Sequence, residues 1–534
     1  MFRELVIEKP LRFLLFRPLG MNKNAAPALW VTIIGMMLSV AVLFLSNGNI
    51  LAAGLVLIPY FVVVLTIYKI EYSLYIFLFS VLFFDQFPVP GFDPFTYTVE
   101  YFNNLKEIQY LPYISAGVLN PLELNLLLII GVWFFSLPIK RDLKLHGITV
   151  WPAFLLFLGT FIFSFVYGIK RGDFMVALWE VRALFYMCIV YMLVPQIITT
   201  EKQIKTIVWV AIAAITLKAM QAFHRYIMLG FTTEGFQALS SHEDPVFIST
   251  IFILTLAVIA FGVKGKEKKL LLLLCIPLYL GFHMGMRRAA YAGLFVSVAA
   301  FFILMPTEYQ ISFVKKYSRY MMLVVLYFFV FWHFPNTSIS GPVNMIKGGI
   351  DKPTKEENFE DYYSNLYRDF ENYNLAVTIE RKPIIGIGFG NKYDMPLKLA
   401  NIPFPLKDYI PHNEIMWYLI KTGSLGFFMF WLFFNSFAFR GAQILKTIKD
   451  PYMKAICAMV VIAVINQMVV SYFDLQLTFY RNMVYLGVLM GLMPALKRIG
   501  ERDEEEALKL ANTKKKTTRK STGRSVQKYE GYHV

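Results

Sequence analysis

About fourteen apolar stretches, each close to the length that crosses the hydrocarbon core of a bilayer, constrain this chain more than any motif does. Runs such as Trp30 to Leu45, Leu55 to Ile67 and Leu425 to Phe437 leave no polar face for water. A segment apolar all round belongs in lipid, where every backbone N–H and C=O must find a partner within the chain. That condition selects helices, so the expected fold is all-α: a polytopic membrane protein with about fourteen transmembrane helices. Composition agrees, because 57% hydrophobic and 16% charged residues do not make a soluble globule. The spans read as roughly 28–46, 50–68, 72–85, 119–137, 148–167, 176–195, 206–229, 246–263, 269–284, 289–305, 319–334, 412–434, 453–473 and 480–496. Spans 72–85 and 269–284 are short, which allows a tilt, a break or a re-entrant path there. Cys188, Cys275 and Cys457 all fall inside apolar runs and read as small buried hydrophobes.

A net charge of +16 raises a nucleic-acid partner, and its distribution rejects one. If the N-terminus is cytoplasmic, alternate loops collect the cations: Lys140/Arg141/Lys144, Lys202/Lys205, Lys264/Lys266/Lys268/Lys269, Lys315/Lys316/Arg319 and Arg440/Lys446/Lys449/Lys454. The opposite loops are neutral or acidic, and 335–411 balances nine Lys/Arg against ten Asp/Glu. Cations gather on the cytoplasmic side of a membrane protein, which places both termini there and turns loops 86–118 and 335–411 outward. The domain organisation expected is a cytoplasmic segment 1–27, an integrated transmembrane domain 28–496, and a disordered basic cytoplasmic tail 497–534 suited to anionic lipid. Residues 1–27 lack a small-residue cleavage site, so the first span is expected to be an uncleaved anchor. No internal repeat of 20–50 residues stands out.

Loop 335–411 is too long for a plain connection and too polar to insert. Between Phe359 and Glu380 its apolar residues recur at helical spacing, which predicts a helix lying across the outer mouth. Further on, Gly386, Gly388 and Gly390 permit a tight turn; without a flanking strand and helix, a structural turn is the preferred reading and a phosphate cradle the alternative. Pro411-His412-Asn413-Glu414 then opens a span, with Gly423 and Gly426 spaced for close helix packing. At a helix N-terminus the neutral imidazole of His412, the form a general base needs, is favoured; an interfacial histidine with no role is the plainer alternative. Arg287 and Arg288 run against the positive-inside bias. Snorkelling explains them, and so does an anion such as a diphosphate gripped by a planar fork.

Taken together, Arg288-Ala-Ala-Tyr at the outer end of a span, Arg368 about fifteen residues before Pro383-Ile-Ile-Gly-Ile-Gly, and His412-Asn-x9-Gly-x-x-Gly resemble the O-antigen ligase/O-antigen polymerase superfamily over roughly residues 246–496. Those proteins are membrane glycosyltransferases with a GT-C-like fold. The resemblance implies transfer of a glycan from a polyprenyl-diphosphate carrier to an acceptor sugar at the outer face of the inner membrane, in exopolysaccharide or O-antigen assembly, with polymerase ahead of ligase. It implies His412 as general base and Arg288 and Arg368 as diphosphate ligands, with Arg287 as the other candidate. In that family the residue before the arginine is usually small, and here it is Arg287. Asn413, Arg225, Gly386 and Gly388 are secondary candidates. The partners implied are a lipid-linked oligosaccharide, an acceptor glycan or lipid-linked glycan, membrane lipid and a chain-length regulator. Neither a cofactor nor a divalent metal is called for, and no Asp-x-Asp or His/Asp cluster offers metal ligands on the outer face.

Charges within the spans fill out the picture. Arg225 is placed to extend a cationic funnel, Glu180 to neutralise Lys218, and Arg182 to face elsewhere on its helix. His242, Glu243, Asp244, Asp85 and Asp93 are candidates for sugar contact. Two rivals stand beside this reading. A flippase or transporter of lipid-linked glycan should show internal repeats and a midplane site. A protein O-oligosaccharyltransferase shares the whole motif.

Overall fold

A computed structural model of the chain describes residues 25–45, 48, 50–89, 91–92, 94–107, 118–136, 145–233, 236, 238–334, 340–350, 354–356, 359–402 and 404–526. Regular structure among them is helical, apart from a 3-10 turn at Leu105–Glu107 and one isolated bridge between Val89 and Phe92. In chain order the helices are α1 (Ala25–Leu45), α2 (Ile50–Tyr68), α3 (Ile70–Phe83), the single turn α4 (Phe95–Thr98), α5 (Pro121–Ser136), α6 (Trp151–Ile169), α7 (Phe174–Ile197), α8 (Glu201–Met228), α9 (Asp244–Ala260), α10 (Lys266–Met284), α11 (Arg288–Leu304), α12 (Thr307–His333), α13 (Gly341–Ile350), α14 (Phe359–Arg381), α15 (Glu414–Thr447), α16 (Pro451–Phe473) and α17 (Tyr480–Val526). Every apolar stretch picked out in the sequence falls on one of these helices.

Among the described residues, 6 helices are long and apolar enough to cross a membrane: α6, α7, α8, α15, α16 and the Tyr480–Glu505 part of α17. Shorter apolar stretches lie in α1, α2, α3, α5, α9 and α11. The protein is a polytopic, all-helical membrane protein. Polar caps set the helix starts. Asp173 accepts from the backbone N–H of Met175 (2.8 Å) and Val176 (3.0 Å) at α7, and Thr200 and Gln203 form a capping box at α8. The chain divides into two units, the first holding residues 1–77 and 122–143, the second 78–121 and 144–534. Within the first, α1 packs on α2, and the Tyr60 hydroxyl donates to the Val31 carbonyl at 2.8 Å. Within the second, α17 packs on α7, α15 on α6 and α16, and α9 and α11 on α16. Aromatic rings fill the α6–α7–α15 interface; Phe157 and Phe433 stack at 5.3 Å and 13°.

One irregularity positions the loop that precedes His412. At Gly423, α15 breaks with φ 67° and ψ −177°, a conformation that side chains resist. Such a break orphans backbone groups in the membrane, and the Gly-rich turn before His412 takes them up. Ser424 N donates to the Pro383 carbonyl (2.8 Å) and Leu425 N to that of Ile384 (3.2 Å); Ile387 N and Gly388 N donate to the carbonyls of Ile420 (2.8 Å) and Lys421 (3.0 Å). A Cβ on Gly386 would come within 2.5 Å of the Ile420 carbonyl oxygen, so a side chain there has no room. Gly423 is therefore a break filled by a turn, where the sequence suggested a close-packing pair with Gly426. Helix α14 covers the stretch predicted helical. The last helix runs to Val526, past residue 497, where the sequence had suggested a tail without regular structure. Residues 1–24 and 527–534 lie outside the described part.

Candidate active site

Four of the residues singled out in the sequence, Arg288, Arg368, His412 and Asn413, line one cavity of about 1010 Å³ in the second unit. Its wall has two characters. Arg288, Arg368, Asp369, Glu371, Asn365, Asn372 and His412 form a polar end built from the start of α11, from α14 and from the entry to α15. Phe295, Val325, Phe329, Trp332, Val469 and Phe473 continue it as an apolar flank contributed by α11, α12 and α16.

His412 stands one residue before the Asn413 N-cap of α15, so the helix fixes its backbone. Its ring is held from α14. Glu371, 2% exposed, accepts the His412 backbone N–H at 2.9 Å and faces Nδ1 with both oxygens, at 3.2 and 3.3 Å. The Tyr367 ring meets the imidazole edge to face at 5.5 Å and 83°. Burial first, then the charges of Glu371 and Asp408, push the Tyr367 phenol up to about 12, so it stays protonated.

The arginines fare differently from one another. Arg288, at the first turn of α11, donates to the Gly348 carbonyl (2.9 Å) and pairs with Asp361 of α14 (2.9 Å). Arg368 is half-buried on the cavity wall, and among the described residues its side chain has no hydrogen bond and no ion pair. Arg287 lies off that wall and contacts His242 Nε2 through Nη2 at 2.5 Å. Burial, reinforced by nearby Arg368, pulls its guanidinium below the ordinary value despite Asp474 and Glu243. Asp474 in turn sits low: burial opposes its charge, and His242, Arg287 and Arg368 outweigh the burial. Arg287 and Arg368 therefore act together on Asp474 beside the polar end of the cavity.

Other sequence candidates sit elsewhere. Asn413 is on the wall, yet its side chain caps α15 by accepting from Met416 N (3.1 Å). Gly386 and Gly388 belong to the turn that fills the α15 break. Arg225 donates to the Leu239 carbonyl (2.6 Å) and stacks on Phe92, away from the cavity lining. Glu180 pairs with Lys421 at 2.7 Å rather than with Lys218, because α15 brings Lys421 and Trp417 against α7. Lys218 instead meets Asp85 at 2.8 Å, and Arg182 bonds Asn104 and the Val118 carbonyl. Asp85, Glu243 and Asp244 are each at most 2% exposed and share Lys218 and Arg481, so they do not reach a sugar. Asp93 lies outside the described residues. Among the described residues no group of three or more His, Cys, Asp or Glu is placed to hold a metal.

Sequence reasoning overlooked Glu371 and Tyr367. The signal was present: in a helix over 359–380, Tyr367 and Glu371 are four apart on one face, beside Arg368. What the sequence does not show is the partner, because His412 lies 41 residues further on and meets Glu371 only in the fold.

Residues 270–431 match the family model described as O-antigen ligase. The match runs from α10 into α15, less than half of the chain, and takes in Arg287, Arg288, Arg368, Gly386, Gly388, His412 and Asn413 but not Arg225. No curated protein matches the chain.

Proposed function

We propose that this chain, which carries an O-antigen-ligase-type domain, transfers a glycan from a polyprenyl-diphosphate carrier to an acceptor sugar at the outer face of the inner membrane, with both termini cytoplasmic. The observation that carries the reading is the single cavity that gathers Arg288, Arg368 and His412 at a polar end and continues along an apolar flank. A lipid diphosphate has that same division, two phosphates joined to a hydrocarbon chain. Asn365 and Asn372 add amides of the kind that bond sugar hydroxyls.

In the reaction, an acceptor hydroxyl attacks the anomeric carbon of the donor glycan. Its oxygen bonds to that carbon as the bond from carbon to diphosphate oxygen breaks, and polyprenyl diphosphate leaves. Nε2 of His412 takes the hydroxyl proton. Negative charge grows on the departing oxygen, and Arg368 and Arg288 stabilise it in a site of low dielectric. To meet the phosphates, Arg288 exchanges Asp361 for them, whereas Arg368 has no hydrogen bond or ion pair to exchange among the described residues. The arginines supply the cationic help, so the reaction needs no divalent metal.

The test uses a strain lacking the chain, complemented by His412→Ala, Arg288→Ala or Arg368→Ala. Each variant is expected in the membrane at the wild-type level without making long surface glycan. Wild-type product from His412→Ala would remove the imidazole from the mechanism. The deletion strain also separates polymerase from ligase. Acceptors capped by single repeats mean polymerase, the preferred reading; long chains stranded on the lipid carrier mean ligase.

A further inference from the structure

We infer that Glu371 is a positioning residue for His412: through its two contacts it selects the ring tautomer and aims Nε2 into the cavity. The inference rests on the reading of His412 as general base and adds a residue to that machinery.

The carboxylate is buried to 2% exposure, and among the described residues its side chain bonds His412 alone. Other buried carboxylates of the protein tie backbone or balance a cation. Glu414 collects the N–H groups of Gln476, Leu477 and Thr478, and Glu180 takes Lys421, Trp417 and Gly390. Glu371 instead spends its bonds on a single residue, and among the described residues no lysine or arginine lies within ion-pair distance of it. Both of its oxygens address one histidine, one through the backbone and both through Nδ1. A carboxylate accepts and never donates, so the neutral ring carries its proton on Nδ1, and the lone pair of Nε2 is left for a hydroxyl. The backbone bond fixes where the histidine sits, the Nδ1 contact fixes the turn of its ring, and the Tyr367 edge blocks rotation. Arg368 precedes Glu371 by three residues on α14, so one helix presents the unpaired cation and the aligning carboxylate together.

The experiment uses the full chain reconstituted in vesicles, with lipid-linked glycan extracted from the deletion strain as donor. Glu371→Gln keeps the size and loses the charge and one acceptor. It should lower kcat roughly 10- to 100-fold with donor KM unchanged, in the range seen when a group orienting a functional histidine is removed. Glu371→Asp should recover part of that loss, and both variants should melt as the wild type does. A wild-type kcat for Glu371→Gln beside an inactive His412→Ala would overturn the inference and leave the base reading standing. A raised KM with kcat intact, or a lowered melting temperature that Glu371→Asp does not correct, also overturns it. An active His412→Ala would instead overturn the base itself.

Discussion

Two clusters in the second unit use the same residue types to opposite ends. Around Asp85 the charges are closed on themselves. Lys218 bonds both Asp85 oxygens at 2.8 and 2.9 Å, and Arg481 bonds Asp244 (2.7 Å) and the carbonyls of Leu82 (2.7 Å) and Val81 (3.1 Å). All of these side chains are buried. Around His412 the account is left open. Among the described residues the Arg368 side chain has no hydrogen bond or ion pair, Arg288 holds an exchangeable partner, and the cavity reaches both. Charge in a membrane protein is costly in either place. Where it is balanced internally it holds helices together; where it is left unbalanced beside a cavity it awaits something from outside.

The comparison breaks or sharpens under substitution. Arg481→Met should have the largest effect on the protein itself, since it strands Asp244 and Glu243 in the interior at a cost of about 3–5 kcal/mol. Loss of the monodisperse peak in detergent gel filtration is expected; normal accumulation would mean the closed cluster is not what holds those helices. His412→Ala should do the reverse, sparing the peak while slowing transfer about 10²–10⁴-fold in a glycan gel assay. Arg368→Ala is expected to cost about 10²–10³ in transfer rate. Its melting temperature should change little, because among the described residues the side chain makes no hydrogen bond or ion pair and His242 and Arg287 remain beside Asp474; a large drop would show that Arg368 has a structural role. In the closed cluster, Lys218→Met and Asp85→Leu should each destabilise, and the double variant should be milder than their sum by about 0.5–3 kcal/mol in thermal melts.

The smallest expected effect is on pH. Burial raises Asp85, but Lys218 and Arg481 outweigh it and bring its carboxyl from 3.8 down to about 2. A carboxylate held low in the folded state stabilises the fold fully above its unfolded value and loses that contribution as pH falls through the folded one. Melting temperature should therefore be insensitive to this group above about pH 4 and decline from there towards about pH 2, and Asp85→Asn should remove that acid limb.

Much of this was legible in the sequence, and the reasons differ from feature to feature. The spans followed from hydrophobic run length alone, since lipid permits one secondary structure for an apolar segment. Helix α14 showed in the periodicity of its aromatic residues. His412 and Arg288 stood out because ionisable residues at span ends are rare, whereas Arg368, inside a loop, came only from the family resemblance. Pairings were not legible: Glu180 with Lys421, Lys218 with Asp85 and Glu371 with His412 join residues far apart in the chain, and no local pattern encodes such a contact. The glycines show the same limit. Their positive φ was foreseeable, but their service to a break in α15 depends on what lies opposite.

That break has one more consequence. Hydrogen bonds from Ser424 and Leu425 back to Pro383 and Ile384 close the intervening chain into a ring anchored at its base. Higher up, Tyr393 N meets the Asp408 carbonyl at 3.2 Å, Lys392 pairs with Asp408 at 2.8 Å, and Asn374 grips the backbone of Leu397. A protease nick between the exposed Ala400 and Asn401 would therefore leave both ends fastened, and His412, farther round the ring, would keep its place. Cleavage at a recognition sequence inserted there should yield two fragments that co-purify and still turn over; fragments that separate would show that the continuity of the chain, and not its anchorage, holds the histidine.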